Sequence, residues 1–530
     1  MNYLCTRLLV GAAFAVMSFG TPAAFAETPA NQLVIATSLA QVLSLDPHQA
    51  TEAKANEIMA NLYDRLVSTD GSGKISPQLA ERWEIDDKGI TFHLRKAEFA
   101  SGNPVTSADV VYSITRLLKL DQAAAANLKR VGYNGGNVEK LVTAPDEKTV
   151  RIDLSGEVTS ELLLYRLAMV IASVVDSKEL KSHVVNDDWG NAWLRTNSAG
   201  SGPFTLNKWT PNEIVILDAS KNYVAGPPKM RRVVVRHVPE SQVERLMLER
   251  GDIDVASALT ATDLATFTGK QGYEIQRVPT GGFYVLSMNA GKEPLSNPKV
   301  REAIAYGIDY KGMEKAIMGP YGRARTVPVP ENFEFAIPSP DWKLDVAKAK
   351  ALLAEAGYKD GFTLNLKTIA QTPRIDLATA IQASLSQIGV KINIMQGNGA
   401  DIIAAHRARD FDLLIPQTGA YMPNVLGAME QFSSNPDNSL KANNAGNFVW
   451  RSSWDIPELT AITAKAALEP DAKKRGALYV QMQEMFVAQK PAVLPLFERY
   501  EPIVLTSRVQ GYVGHPSQTT RLEGVTKTEK

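Results

Sequence analysis

The side chains that most often catalyse reactions or bind metals are few and scattered in this sequence of 530 residues. No two of its six histidines have the short spacing of a zinc-binding pair; they are His48, His93, His183, His237, His406 and His515. Nucleophile elbow, P-loop, dinucleotide and H-E-x-x-H motifs do not occur in the sequence. These patterns favour a binding role without cofactor or metal. A hydrolase whose catalytic residues meet only in the fold stays open as an alternative.

Three loops have the composition expected of ligand contacts, because each lies next to a predicted strand and contains small or polar residues. They lie at 44–53, 280–284 and 416–424. Backbone N–H and C=O groups are free where a strand ends, and glycine lets a ligand approach closely. An ordinary loop is the alternative interpretation of each. The candidate ligand-binding residues in these loops are Thr51, Glu52, Phe283, Tyr284, Gln417, Thr418, Gly419, Ala420, Tyr421 and Asn424.

Short β runs alternate with amphipathic helices along most of the chain, which predicts an α/β fold. A buried strand is predicted at 33–37 and an amphipathic helix at 56–66. Thr106 with Asp109 three residues later predicts the start of another helix. The segment 345–415 repeats the strand and helix alternation and predicts a separate α/β domain. About 500 residues are too many for one hydrophobic core, so two or three domains are expected.

The first 26 residues have the pattern of a secretory signal peptide, with cleavage expected after Ala26. The apolar run that starts at Leu8 is too short for a membrane anchor, which needs roughly 20 residues. Cleavage removes Cys5, the only cysteine, and leaves 56 basic and 57 acidic residues. This balance argues against nucleic acid or an anionic membrane as a partner. We therefore expect an exported, soluble protein without direct membrane insertion.

Ten short motifs in this sequence resemble, in order, those of the family 5 extracellular solute-binding proteins of ABC importers. They are Ser-Leu-Asp-Pro-His at 44–48, Leu-Ala-Glu-Arg-Trp at 79–83, Phe-His-Leu-Arg at 92–95, the segment 101–113, Gly-Pro-Phe at 202–204, Gly-Asp-Ile-Asp at 251–254, Asn-Pro-Lys-Val-Arg-Glu-Ala-Ile at 297–304, the segment 347–357, Phe-Asp-Leu at 411–413 and Tyr-Val-Gln-Met-Gln at 479–483. The resemblance implies a periplasmic-binding-protein clamp of the cluster C type. Two α/β lobes joined by a hinge, with an extra inserted domain, would close on a ligand.

The resemblance also implies a division of the chain and a set of partners. Domain I would comprise 27–63, 187–280 and 498–530, domain II 64–186, and domain III 281–497. The partners would be a small-molecule or peptide ligand and the transmembrane permease subunits of an ABC transporter. We expect a periplasmic monomer.

The loop after the Phe-Asp-Leu strand differs from that of peptide-binding relatives. In those relatives this segment usually reads Gly-Trp-x-x-Asp-Tyr. Its backbone pairs with the peptide, and its Asp holds the α-amino group of the peptide. Here Thr418 stands at the Trp position and Tyr421 at the Asp position. The backbone role carries over to Gln417, Thr418 and Gly419, but the ammonium-pairing role does not, because a buried ammonium needs a nearby carboxylate. Glu52 or Asn424 could take that role.

His406 falls near a position where peptide binders of the family carry an arginine that faces the ligand, although a structural role is the alternative. The leading hypothesis is the periplasmic capture of a peptide or peptide-like solute for import. The runner-up keeps this role for a non-peptide solute such as an opine, a metallophore, a sugar-derived conjugate or an amphiphile. An exported hydrolase, and a chaperone or receptor with the same clamp, are the remaining alternatives.

Overall fold

A computed structural model of the protein describes residues 28–340, 342–419 and 422–529. The predicted signal peptide and the candidate ligand residues Ala420 and Tyr421 lie outside the described residues. The structure combines strands and helices throughout, so the predicted α/β class is confirmed. No described helix is long and apolar enough to cross a membrane.

Nineteen strands are present in the described part of the chain. They are β1 (Gln32–Thr37), β2 (Val67–Thr69), β3 (Ile75–Pro77), β4 (Ala80–Ile85), β5 (Gly89–Leu94), β6 (Val142–Asp146), β7 (Thr149–Asp153), β8 (Phe204–Thr210), β9 (Ile214–Ala219), β10 (Arg232–His237), β11 (Val255–Ala256), β12 (Tyr273–Met288), β13 (Gly322–Ala324), β14 (Phe362–Ile369), β15 (Val390–Gly397), β16 (Leu413–Leu414), β17 (Val493–Thr506), β18 (Val509–Gln510) and β19 (Thr526–Lys527).

Eighteen α-helices accompany them in the same ranges. They are α1 (Ala53–Leu62), α2 (Ser107–Leu120), α3 (Ala126–Lys129), α4 (Val138–Leu141), α5 (Ser160–Leu167), α6 (Ser177–Ser182), α7 (Asn191–Leu194), α8 (Ser241–Arg250), α9 (Ala261–Ala265), α10 (Pro298–Tyr306), α11 (Tyr310–Met313), α12 (Val346–Glu355), α13 (Arg374–Ser386), α14 (Gly399–Arg407), α15 (Val425–Ser433), α16 (Phe448–Arg451), α17 (Pro457–Leu468) and α18 (Ala472–Ala488).

One eleven-stranded sheet runs through most of the molecule in the order β15-β14-β16-β12-β17-β11-β1-β10-β9-β8, with β13 paired to β17. The two longest strands, β12 and β17, are antiparallel neighbours at its centre. Their pairing is irregular between Pro279 and Phe283, and Gly281 there has a φ of 63°. Glycine adopts this left-handed conformation without steric cost. A separate antiparallel sheet has the order β4-β5-β7-β6.

Local sequence signals account for several of these elements. The backbone N–H of Thr106 donates to Asp109 Oδ2 at 2.9 Å, which caps α2 at the predicted position. The strand predicted at 33–37 is β1, whereas the helix predicted over 56–66 is α1 and ends at Leu62. The candidate loop at 280–284 lies within β12, which continues through Gly281 and Gly282 to Met288.

Three large apolar cores stabilise these layers. The largest contains residues between 66 and 174 together with residues between 283 and 493. A second packs around β1, α1 and β8 to β10, and a third around β14 and β15. Burial of apolar surface contributes about 25 cal/mol per Å². These cores hold the ends of β12, β16 and β17 in fixed positions, and the candidate site forms there.

Candidate functional site

A cavity of about 410 Å³ lies beside the irregular pairing of β12 and β17. Its walls come from the start of α1, from β12 and β17, from the loop after β16 and from a loop near the C-terminus. The lining residues are Gln41, Thr51, Glu52, Ala53, Thr280, Gln417, Thr418, Gly419, Arg499, Pro516, Ser517 and Gln518. Most are polar and uncharged, so the cavity offers many hydrogen-bonding groups.

The loop after β16 is held against β12 by hydrogen bonds to the backbone. The N–H of Thr418 donates to the Phe283 carbonyl at 2.8 Å, and the N–H of Phe283 donates to Thr418 Oγ1 at 2.9 Å. A Cβ on Gly282 would lie 2.1 Å from the Thr418 carbonyl oxygen, which is too close for a nonbonded contact between carbon and oxygen. Glycine at 282 therefore permits the close approach that places residues 417–419 in the cavity wall.

Arg499 contributes the positive charge of the cavity. Its Nη1 donates to the Thr418 carbonyl at 2.8 Å, and its guanidinium carbon lies 5.4 Å from the ring centroid of Tyr284. Its buried Nε has no hydrogen-bond partner among the described residues. Burial lowers the pKa of the nearby Arg374, and the like charge of Arg499 lowers it further. The Arg499 guanidinium in the cavity wall and the second cation favour an anionic group on a ligand.

Glu52 contributes the negative charge. It is the residue before α1, and its Oε2 accepts a hydrogen bond from the Thr51 N–H at 3.0 Å. The side chain is partly exposed, so its second oxygen is available to a ligand. Glu52 and Arg499 are the two charged residues among the described residues that line the cavity. The cavity therefore presents one anion and one cation to a bound molecule.

A buried ionic cluster fixes the loop that leads to Thr51 and Glu52. Arg116 on α2 donates to both oxygens of Asp46, at 2.8 and 2.6 Å, and neither side chain is exposed. Its Nη1 also lies 2.8 Å from His48 Nδ1. Burial alone would raise the pKa of Asp46, but hydrogen bonds and charge from Arg116 hold it below its usual value. The cluster fastens residues 44–48 to α2.

Comparison with known proteins identifies the architecture around this cavity. The model of the bacterial extracellular solute-binding proteins, family 5, matches residues 74–439. The chain belongs to this family. It is the substrate-binding component of an ABC importer, acts in the periplasm and delivers its ligand to permease subunits. The predicted family, partners and location are therefore confirmed.

Two proteins similar in sequence cover nearly the same length as this family 5 protein. The probable D,D-dipeptide-binding periplasmic protein DdpA of Escherichia coli K12 is 30% identical over 510 residues, which are 94% of this chain and 95% of the relative. Heme-binding protein A of Haemophilus influenzae is 28% identical over 491 residues, or 87% and 86% of the two chains.

A solved structure agrees in fold over a similar length. DppA of Helicobacter pylori, in complex with the peptide STSA, has a TM-score of 0.74 and is 25% identical. The match covers 94% of this chain and 98% of DppA.

The structure brings five of the predicted ligand residues of this family 5 protein into one cavity. They are Thr51, Glu52, Gln417, Thr418 and Gly419. The first two come from the loop before α1, and the others come from the loop after β16. Phe283 and Tyr284 are buried behind this wall, where Phe283 packs on Phe432 and Tyr284 lies under Arg499.

His406 lies outside the cavity lining. It is 2% exposed and packs between the rings of Phe411 and Phe448, with ring-centroid distances of 5.3 and 5.2 Å. Its Nδ1 is 3.2 Å from Arg451 Nη1. Burial, with a smaller contribution from Arg451, holds the pKa of His406 well below its usual value. A buried, neutral imidazole between two aromatic rings corresponds to the structural alternative for this residue.

Asn424 is the N-cap of α15. Its Oδ1 accepts a hydrogen bond from the Gly427 N–H at 2.7 Å, so this oxygen is already engaged. The residue lines a different cavity, of about 620 Å³, together with Tyr165 and Tyr479.

Seven of the twelve lining residues are not among the predicted ligand residues, although two of them, Ala53 and Thr280, lie in the candidate loops. Arg499 and Thr280 lie on β17 and β12, and Gln41, Ser517 and Gln518 come from loops far apart in sequence. No local motif marks Arg499, because its role arises only when β17 pairs with β12 beside residues 417–419. The Thr280-Gly-Gly segment was the available signal for Thr280.

Proposed function

We propose that this family 5 protein captures a short zwitterionic peptide and passes it unchanged to the permease. The observation that carries the proposal is the presence of Glu52 and Arg499 in the wall of one cavity. A free peptide has an ammonium at one end and a carboxylate at the other. Opposite charges in a partly enclosed site bind such a molecule through charge-assisted hydrogen bonds.

Glu52 supplies the carboxylate that is missing at position 421. In this proposal its free oxygen accepts a hydrogen bond from the α-amino group of the peptide. Arg499 donates from its guanidinium to the carboxylate of the peptide, supported by the charge of Arg374. The backbone of Gln417, which forms a bridge with Tyr284 of β12, and the backbone of Gly419 support the peptide bond between the two charged ends of the ligand.

The size of the cavity supports a small ligand. A volume of about 410 Å³ lies at the lower end of the range of roughly 300 to 1,000 Å³ that is usual for ligand pockets. Several similar proteins are named for small peptides, among them a D,D-dipeptide-binding protein, a glutathione-binding protein and a dipeptide-binding protein. A peptide of about two or three residues fits this range.

Closure of domains around the peptide completes the proposal. We propose the same domain bounds as the sequence predicts: domain I comprises 27–63, 187–280 and 498–530, domain II comprises 64–186, and domain III comprises 281–497. The separate sheet β4-β5-β7-β6 falls wholly within domain II, which supports its bounds. Both domain I to domain III crossings then fall on β12 and β17, next to the cavity. A ligand there contacts both sides of the hinge.

A non-peptide solute is the second candidate, favoured by Tyr421 at the position where peptide binders carry Asp. Similar proteins named for heme and deoxycholate show that related chains are associated with such ligands. The two candidates differ in one respect that can be measured: the proposed peptide needs a free α-amino group as well as a free carboxylate, whereas solutes such as heme and deoxycholate have no amine.

Calorimetric titration with three ligands tests the proposal: Ala-Ala, N-acetyl-Ala-Ala and Ala-Ala-amide, in both L and D forms. We expect Ala-Ala of at least one chirality to bind and to raise the melting temperature. Glu52→Gln should weaken binding of the free dipeptide by about 10- to 100-fold, since a charge-assisted hydrogen bond contributes about 1.5–3 kcal/mol. It should leave the acetylated ligand unaffected. Exposed Glu484→Gln is the matched control.

Two outcomes would overturn the proposal. Equal effects of Glu52→Gln on free and acetylated dipeptides would exclude the ammonium contact. Failure of every peptide to bind, with a different solute recovered from the purified protein, would support the non-peptide candidate. Mass spectrometry of the ligand after incubation separates binding from hydrolysis, because a binding protein returns the ligand unchanged.

A further inference from the structure

A second cavity, of about 480 Å³, lies between α5 and the segment from α15 to α16. It is lined by amide side chains, two arginines and one glutamate. The lining residues are Asn127, Arg130, Arg166, Gly419, Met422, Gly427, Glu430, Gln431, Ser434, Pro436, Asn444, Gly446 and Asn447. Gly419 belongs to the walls of both cavities, so this one adjoins the proposed peptide site.

Arg166, on α5, is a buried cation with few partners. Its side chain is 6% exposed, and its Nε has no hydrogen-bond partner among the described residues. Nη1 donates to Asn127 Oδ1 at a long 3.4 Å, and Nη2 lies 3.7 Å from Glu430 Oε2, beyond hydrogen-bond distance. A guanidinium has five N–H donors, and leaving them unpaired in a buried position costs free energy.

Arg130 adds a second positive charge from the same side of the cavity. Its guanidinium reaches across to the opposite wall, where Nη2 lies 3.7 Å from the Cβ position of Gly446. No ion pair joins Arg130 to an acidic residue in the described ranges. Burial lowers the pKa of Arg166, and Arg130 lowers it further, while Glu430 opposes both. Two cations face one carboxylate, so the cavity keeps an excess positive charge.

We propose that this second cavity is an anion subsite that binds a distal carboxylate of the captured solute. This inference rests on the proposed function, because the solute must first occupy the adjoining peptide site. Arginine forms paired hydrogen bonds to carboxylate oxygens, and Arg166 has unused donors for them. The surrounding amides at Asn127, Gln431 and Asn444 can donate to the same oxygens. The preferred solutes are therefore acidic peptides.

The subsite lies between two parts of the chain, so a carboxylate bound there should also link them. Arg130 and Arg166 belong to residues 64–186, whereas Gly427 and Glu430 lie on α15. A carboxylate held between them adds an ionic link between two parts of the chain, whose charged groups at this cavity make only the long Arg166–Glu430 contact and which elsewhere share the largest apolar core. An acidic solute should thus stabilise the closed arrangement more than a neutral one of equal size.

Matched peptides test the subsite by calorimetric titration at fixed ionic strength. The pairs are Ala-Glu with Ala-Gln and Ala-Ala-Glu with Ala-Ala-Gln, which differ only in the side-chain carboxylate. We expect the acidic member of at least one pair to bind about tenfold more tightly, which corresponds to about 1.4 kcal/mol. Arg130→Gln should reduce this preference to near onefold, and Arg130→Lys should keep most of it. Arg130 is exposed, so these variants are expected to fold.

The other outcomes of these titrations distinguish failure of the subsite from failure of the proposed function. Equal binding of acidic and neutral peptides overturns the subsite but leaves the proposed function intact. No binding of any peptide overturns the proposed function, and with it the subsite as part of a solute site. Inorganic phosphate alone is a further arm. Stabilisation by phosphate that Arg130→Gln abolishes, without any preference among peptides, would identify a site for a free anion and overturn its role in solute recognition.

Discussion

Replacing Arg116 by Met should be among the most destabilising single changes in this protein. The guanidinium donates to both Asp46 oxygens, and both side chains are fully buried. Its Nε also donates to the Trp189 carbonyl at 2.8 Å. Methionine retains most of the apolar contact of the arginine stem but none of the donors. Asp46 then keeps a buried charge that Asn191, which donates at 2.7 Å, cannot neutralise.

The size of the effect follows from that uncompensated charge. Removing one partner of a buried ion pair costs about 3–5 kcal/mol, whereas removing both charges together costs much less. Since folded proteins have free energies of unfolding of about 5–15 kcal/mol, this loss is a large share of the total. Adding Asp46→Asn to Arg116→Met should therefore restore about 2 kcal/mol or more of the lost stability.

Urea unfolding of the ligand-free protein at pH 7, followed by circular dichroism, measures these differences. Arg82→Met is a control, because the Arg82 side chain is 56% exposed and pairs with Glu84, which is 66% exposed. Exposed pairs contribute about 0–1 kcal/mol, so the control should change stability little. A loss below about 1 kcal/mol for Arg116→Met, or further destabilisation on adding Asp46→Asn, would refute the reasoning.

Three further predictions follow from single residues. Burial, with a smaller contribution from Arg116, lowers the pKa of His48 to about 4. The unfolded chain then binds a proton below about pH 6.5 and the folded protein does not, so stability should fall by about 3 kcal/mol between pH 7 and pH 4. His48→Gln should remove this fall in stability, and urea unfolding midpoints measured between pH 7 and pH 4 would show the change. Gly282→Ala places a Cβ 2.1 Å from the Thr418 oxygen and should weaken dipeptide binding at least about tenfold by calorimetry; Gly524→Ala, with no atom within 4 Å, should leave it unchanged. Asn424→Ala removes an N-cap and should cost about 1 kcal/mol in urea unfolding with unchanged ligand affinity; a large loss of affinity instead would indicate a ligand contact.

Signals that act within a few residues were readable from the sequence. The Thr106 and Asp109 pair caps α2 as predicted, because a capping box needs only three residues of separation. The strand at β1 was equally clear. Asn424 has a second local signal, because its place before an apolar run indicates an N-cap, and the structure shows that role at the start of α15; its ligand contact stays a prediction.

Features that depend on pairing between distant segments were not readable. Arg499 reaches the cavity because β17 pairs with β12, a partner more than 200 residues earlier in the chain. The candidate loop at 280–284 coincides with the irregular pairing between Pro279 and Phe283, yet β12 continues through it, because the neighbouring strand β17 supplies partners on both sides. The anion subsite likewise joins Arg166 to Glu430, and no pattern in the sequence connects those positions.

The central place of β17 has a consequence for how the protein is produced. It lies between β12 and β11, although residues 493–506 are near the end of the chain. An exported chain emerges into the periplasm from its N-terminus, so β12 and β11 are delivered with one edge unpaired and stay so until β17 arrives. Unpaired edges are sites of aggregation. Premature release of the chain before residue 493 should therefore yield insoluble fragments rather than a smaller functional clamp.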